Sequence, residues 1–214
     1  MNLGSSTKKK VRPLRERVRD AVSGAILDAA EEIIAERGVY QAAMSEIAAR
    51  AGVAVGTVYN HFADRDSLLR ELFRARRALI SPEIVRLAEA HRSEPFEPRL
   101  RGLVADVLAL LERHRRFVKV ALEAEQIQRE PTGGPARPVM TSLQAATAEV
   151  LAAGAAGGRV RAGDVDRLVR LLLGSMRGML RYRLDAGGPF TDDADLVVDV
   201  FLRGAAPPAA ERRG

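Results

Sequence analysis

An all-α protein is predicted by three observations. Apolar residues recur at three- and four-residue steps through most of the 214-residue chain. Almost no segment alternates apolar and polar in the manner of a half-buried strand, and glycine- and proline-rich stretches punctuate the periodic runs. In chain order, Val18, Val22, Ile26, Ala29 and Ile33 define a first helix that stops at Gly38. Residues 44–63 read as two short helices joined by a tight turn at Gly52, where a left-handed backbone is cheap only for glycine. Ile47 and the small Ala48 give the earlier of the two an inner side, Val53 seals the turn, and Val58 points back at Ile47. With Phe62 and Leu68, these residues close a three-helix core against the first helix.

Asp64, followed three residues later by Ser67, caps a fourth helix running through Leu68, Leu69, Leu72, Phe73 and Leu79. Pro82 either starts a fresh helix or kinks that one. Leu100, Leu103, Val107, Leu108, Leu110 and Leu111 mark the next helix, and Phe117, Val118, Ala121, Leu122 and Ile127 another. Residues 131–138 form a loop, Val139–Ala153 resume the helical pattern, and Gly154–Gly163 break it. A long apolar helix then runs from Asp164 to Leu184, Gly187-Gly188-Pro189 end it, and a last helix covers roughly 192–203. The expected organisation is a flexible basic arm over 1–15, a helix-turn-helix domain over 16–63 with its motif at about 43–62, a helical regulatory and dimerisation domain over 64–204, and a disordered tail over 205–214.

Composition limits the function. No apolar run is long enough to span a bilayer, and the lysines near the N-terminus have no apolar signal core behind them, so a cytoplasmic protein without a membrane partner is expected. Cysteine is absent, and His61, His91 and His114 lie in different segments, so no metal site and no cofactor are expected. No nucleophile with an adjacent base and no phosphate loop is present, which argues against an enzyme. The net charge of +6 and a pI near 10.2 suit an anionic partner. Lys8, Lys9, Lys10, Arg12, Arg15, Arg17 and Arg19 crowd the chain before the first helix. Residues 1–10 read equally as an arm that orders on phosphate or in the minor groove and as a solubilising tail. Arg15 and Arg19, at the entry of the helix, are the stronger DNA-contact candidates.

The second motif helix turns Val55, Thr57, Tyr59, Asn60 and His61 outward. Hydroxyls, an amide and an imidazole on a rigid rod are what reading base edges and phosphates requires. Spacing alone leaves open an ordinary helical hairpin with a glycine stop. The string Ile47-Ala48, Ala51-Gly52-Val53, Gly56-Thr57-Val58-Tyr59-Asn60-His61-Phe62 resembles the TetR (tetracycline-repressor-like) family of bacterial regulators, whose signature runs roughly I-A-x-x-A-G-V-S-x-G-T-L-Y-x-H-F. The resemblance extends upstream to Arg37-Gly38, downstream through Leu69, fades over the middle of the chain, and returns in the closing helix at 196–204.

That resemblance implies a sequence-specific transcriptional regulator that binds a palindromic double-stranded operator as a homodimer. It implies base-edge and phosphate contacts from Thr57 and Tyr59 and a phosphate grip from His61 and Arg65, with Asn60 either contacting DNA or facing solvent. Ser45 and Gly56 complete the candidate DNA-binding set. Two departures stand out. Ala43 and Ala54 occupy places where relatives carry a capping Ser or Thr, and Val55 replaces a polar residue, which suits an apolar contact such as a thymine methyl. The last two long helices would pair with their copies in a four-helix bundle. Gly174 and Gly178, four apart inside a soluble helix, suit such a close approach, although burial within one chain also explains the leucines.

A regulatory domain of this kind would carry a pocket for a small, largely apolar effector. Candidate lining residues are Leu103, Val107, Val118, Leu122, Glu125, Met140, Leu143, Gln144, Thr147, Met176 and Met179, of which Glu125, Gln144 or Thr147 could orient the ligand. For any one of them, plain core is the simpler reading. The expected mechanism is a repressor released from DNA by its effector; an activator and a ligand-independent binder fit the same residues.

Overall fold

The structure is a computed structural model, and it describes residues 13–127, 137–161 and 163–206, apart from the side chains of 125–127 and 137–140. Among these residues every regular element is helical. Of the expected arm over 1–15, residues 1–12 fall outside the described residues and Leu14 and Arg15 already belong to the first helix; of the expected loop over 131–138, residues 131–136 fall outside and Arg137 and Pro138 are helical; most of the tail and the side chains of Glu125 and Met140 also fall outside. No described helix is long and apolar enough to cross a membrane. The chain divides into two compact units between Leu69 and Arg70.

The first unit holds α1 (Leu14–Arg37), α2 (Met44–Ala51), α3 (Val55–His61) and the opening of α4 (Arg65–Ala90). Its core is Ile26, Ile33, Ile34, Ile47, Val58, Phe62 and Leu68, all essentially inaccessible to water. Leu68 is held by the start of α4, where Asp64 and Ser67 cap one another: the Ser67 amide donates to Asp64 Oδ1 at 2.6 Å and the Asp64 amide to Ser67 Oγ at 3.1 Å. Val18 does not join this core. It is exposed, and Val22 and Val53 are only partly covered. The 24 residues of α1 span about 36 Å, whereas α2 and α3, at 8 and 7 residues, cover only about 12 and 10 Å, so the first turns of α1 run past them.

The second unit comprises the rest of α4, α5 (Phe96–Arg113), α6 (Arg115–Ile127), α7 (Arg137–Ala156), α8 (Val165–Ala186), a short 3-10 turn at Phe190–Asp193 and α9 (Ala194–Ala205). The helix runs on through Pro82, so the proline neither starts a new helix nor ends the old one. Leu79, expected on the inner stripe of α4, is exposed, and Ile80 takes that place. Gly154, expected to end its helix, lies inside α7. A Cβ there would sit 2.3 Å from the Phe96 ring, so the glycine serves the seating of Phe96 rather than helix termination.

Charged side chains tie this unit together where apolar packing ends. Arg183 forks onto Asp193 at 2.6 and 2.9 Å. Arg115 lies over the Phe190 ring and donates to the Arg183 and Gly188 carbonyls, while Glu112 accepts the Phe190 amide at 2.7 Å. The buried Arg99 of α5 donates to Glu149 of α7 at 2.7 Å.

Candidate nucleic-acid interface

Gly52 closes α2 in the left-handed region (φ 68°, ψ 30°), and its amide and that of Val53 donate back to Ala49 and Ala48 carbonyls. That turn redirects the chain so that α3 inserts Val58 and Phe62 beneath α2 and leaves its opposite side open. Val55, Gly56, Tyr59 and Asn60 are exposed, and Thr57 and His61 are half-buried at the margin of the same face. Ser45, the second residue of α2, is exposed as well. Neither Ala43 nor Ala54 supplies a side-chain cap, and only their carbonyls serve the first turns, accepting from the Glu46 amide at 3.1 Å and the Thr57 amide at 2.9 Å. Free amides at a helix start attract phosphate oxygen.

Gly56 lies on the open face, and a Cβ built there meets nothing within 4 Å. Nothing among the described residues requires a glycine there. On α1, Arg15 and Arg19 are exposed and stand at helical steps from Ile26, Ala30 and Ile33. They therefore share the side of α1 that packs on α2, continued beyond the end of the core.

Arg65 is placed differently from its sequence expectation. Its Nη1 donates to the Tyr40 carbonyl at 2.9 Å and its guanidinium lies 5.7 Å from the Tyr40 ring centroid. Nε and Nη2 are buried, with no hydrogen-bond partner among the described residues. The side chain thus faces its own domain and braces the turn before α2. Tyr40 itself is strongly exposed, a candidate that no local pattern marked. Arg50, another cation of the motif, is bound to Glu36 and Glu32, which raise its guanidinium further above its ordinary value, Glu36 most.

In the second unit the expected lining residues separate. Leu103 and Val107 of α5, Val118 and Leu122 of α6, Leu143 and Thr147 of α7, and Met176 of α8 are buried on helices that pack on one another; Met179 is half-buried. Gln144 is exposed, because the α7 face that buries Leu143 and Thr147 turns the next residue outward. Among the described residues no cluster of His, Asp or Glu could hold a metal ion.

One further surface is apolar and open. Along α8, Leu171, Gly174, Ser175, Gly178 and Tyr182 form one exposed stripe, and along the neighbouring α9, Leu196, Val200 and Gly204 form another. Ser175 Oγ donates to its own Leu171 carbonyl at 2.9 Å, so its hydroxyl is already satisfied. Cβ atoms at Gly174, Gly178 and Gly204 would meet nothing within 4 Å. The glycines expected to permit close packing therefore pack against nothing among the described residues.

Residues 26–72 match the family model described as "Bacterial regulatory proteins, tetR family". The fatty acid metabolism regulator protein of Bacillus subtilis is 49% identical over 49 residues, which is 23% of this chain and 25% of that one. The HTH-type transcriptional repressor BepR of Brucella suis is 39% identical over 71 residues, a third of each chain. The chain thus spans a third or less of the length of these curated relatives. The crystal structure of the transcriptional regulator FadR from Bacillus subtilis in complex with stearoyl-CoA superposes with a TM-score of 0.69 at 23% identity, over 85% of this chain and 98% of that one. At that identity the likeness establishes the shared helical fold.

Proposed function

We propose, for a chain that belongs to the tetR family of bacterial regulatory proteins, that it is a sequence-specific DNA-binding repressor acting in the cytoplasm as a homodimer, released from a palindromic operator by a small, largely apolar effector. The observation that carries this reading is the α2–Gly52–α3 head. Its inner residues are spent on the core, while Val55, Gly56, Tyr59 and Asn60 stand exposed on an outward face with the half-buried Thr57 and His61 at its margin.

In this reading α3 enters the major groove. Thr57 and Tyr59 contact base edges and phosphate, His61 holds phosphate, Val55 meets a thymine methyl, and Gly56 admits the DNA backbone or a base edge to the helix axis. Ser45, Arg15 and Arg19 grip flanking phosphates. Arg65 acts as a positioning residue through Tyr40. The open stripes of α8 and α9 pair with their copies, so that two heads can meet successive major grooves about 34 Å apart. The buried faces of α5, α6, α7 and α8 supply the apolar walls of the effector site. Effector binding shifts the population of head separations, and a coupling of about 1–3 kcal/mol between the two sites is enough for a switch.

Tyr59→Ala tests the assignment of the reading face. Because the side chain is half exposed and absent from the core, the variant should fold and dimerise normally yet bind operator at least tenfold more weakly. Unchanged affinity in a gel-shift titration would remove Tyr59 from the interface.

A further inference from the structure

The inward stripe of α4 contains two polar groups that the reading above does not use. Phe73, Arg77, Ile80, Ser81, Ile84 and Ala88 follow each other at helical steps. Phe73, Ile80, Ile84 and Ala88 are buried, and Phe73 meets the Phe117 ring of α6 edge-on at 5.5 Å, which fixes the direction of the stripe within the second unit. Arg77 lies in the middle of this row and Ser81 one turn further on. Arg77 Nε and Ser81 Oγ are both buried, and neither has a hydrogen-bond partner among the described residues.

Both groups are costly where they stand. A buried hydroxyl or guanidinium nitrogen that gives up water without gaining a partner destabilises the folded chain. A serine inside a helix can satisfy itself on the carbonyl one turn back, as Ser175 does, but Ser81 does not. Nor does the described core supply a counter-charge. Its buried polar residues are Arg99, Thr147 and Asp193; Asp193 is taken by Arg183, and Arg99 has Glu149.

The close helix pairs of the second unit join α5 with α6, α7 and α9, α6 with α8, α7 with α8, and α8 with α9; among the described residues α4 enters no such pair. It reaches its neighbours through long side chains, by the Phe73–Phe117 rings, by Glu83 to Arg113 at 3.6 Å and by His91 to Asp106 at 3.0 Å.

We propose that Arg77 and Ser81 form the polar end of the effector site, and that the effector is an amphipathic molecule with an apolar body and a carboxylate head. The carboxylate accepts from the Arg77 guanidinium and from the Ser81 hydroxyl, neutralising the one and satisfying the other. The apolar body lies along the faces of α4, α5 and α6 that carry Phe73, Ile84, Leu103, Val107 and Phe117. This rests on the reading of the second unit as an effector-binding domain and names the chemistry of what it binds.

Dodecanoate, dodecanol and dodecyltrimethylammonium share one apolar chain and differ in head charge, so they serve as probes. In calorimetric titrations of the full chain, dodecanoate should bind about tenfold or more tighter than dodecanol, and the ammonium more weakly than either. Arg77→Gln should bring the carboxylate-to-alcohol ratio close to one. Ser81→Ala, which removes a single oxygen and keeps the helix, should reduce the ratio several-fold and decides the matter should Arg77→Gln fail to fold. Equal affinities in the wild type, a ratio unmoved by both substitutions, or no binding of any probe would overturn the proposal. DNA occupancy is read separately. Release by dodecanol as effective as by dodecanoate would refute the carboxylate site and leave effector-driven release intact. Head-selective binding at Arg77 without release would keep the site and refute the switch.

Discussion

Substituting Val200 with Glu perturbs the most exposed point of the α9 stripe, and its effect can be worked from exposure. Leu171 and Val200 are 63% exposed, and Tyr182 and Leu196 55%. Fully burying a side chain of this size contributes about 1.5–3 kcal/mol, so covering the remainder yields about 1–1.5 kcal/mol each. Four such side chains from each of two copies supply roughly 10 kcal/mol before the glycines add their close contacts, comparable with the cost of about 4–15 kcal/mol for association. Two-fold symmetry counts any change twice. Val200→Glu removes about 1 kcal/mol of burial per copy and adds the desolvation of a carboxylate at about 1–3 kcal/mol or more, so the dimer should weaken by at least about 4 kcal/mol, near a thousandfold in Kd. Sedimentation velocity at micromolar concentration should show a wild-type dimer and a variant monomer, with helical content unchanged because Val200 lies outside the chain's own core. A Val200→Glu protein that sediments as a dimer with undiminished affinity would refute the pairing of α8 and α9.

Two further outcomes follow from single positions. Gly56→Ala meets no atom within 4 Å and removes a glycine from a helix, so thermal stability should hold or rise by up to about 1 kcal/mol while operator affinity falls; retained DNA binding would show that the open space at Gly56 is not used. The ring of His91 bonds Asp106 through Nε2 at 3.0 Å and has Glu94 at 3.2 Å from Nδ1, and the two carboxylates, Asp106 first, raise its pKa against the opposing effect of burial. A raised folded pKa stabilises fully below the unfolded value near 6.5 and is lost as pH climbs through the folded value. The Tm of the wild type should therefore fall more steeply than that of His91→Gln between pH 6 and 9; parallel profiles would contradict the pairing.

Local rules exposed the head. A left-handed glycine, two short apolar faces and the Asp64–Ser67 cap are each set by residues within one or two turns, and the fold places them where those rules put them. Elsewhere distant residues decide. Gly154 looks like a stop signal, yet the Phe96 ring, more than fifty residues earlier, makes it an interior helix position. Arg65 resembles a phosphate ligand until the Tyr40 carbonyl, 25 residues away, claims it. Val18 continues an apolar period beyond the point where α2 and α3 can cover it. No local rule marks the Arg77 and Ser81 pair on α4; only burial without partners gives those two residues their chemistry. The exposed glycines of α8 were legible as a packing signal because glycine inside a helix has a cost that something must offset.

The central claim is that the α2–Gly52–α3 head reads DNA sequence from a paired molecule. Selection of duplexes from a random pool at ordinary ionic strength tests it most directly. The account predicts enrichment of one inverted repeat whose half-sites are spaced by about one helical turn or a multiple of it, lost with Tyr59→Ala. A pool that stays random, or an enriched site without two-fold symmetry, would contradict it.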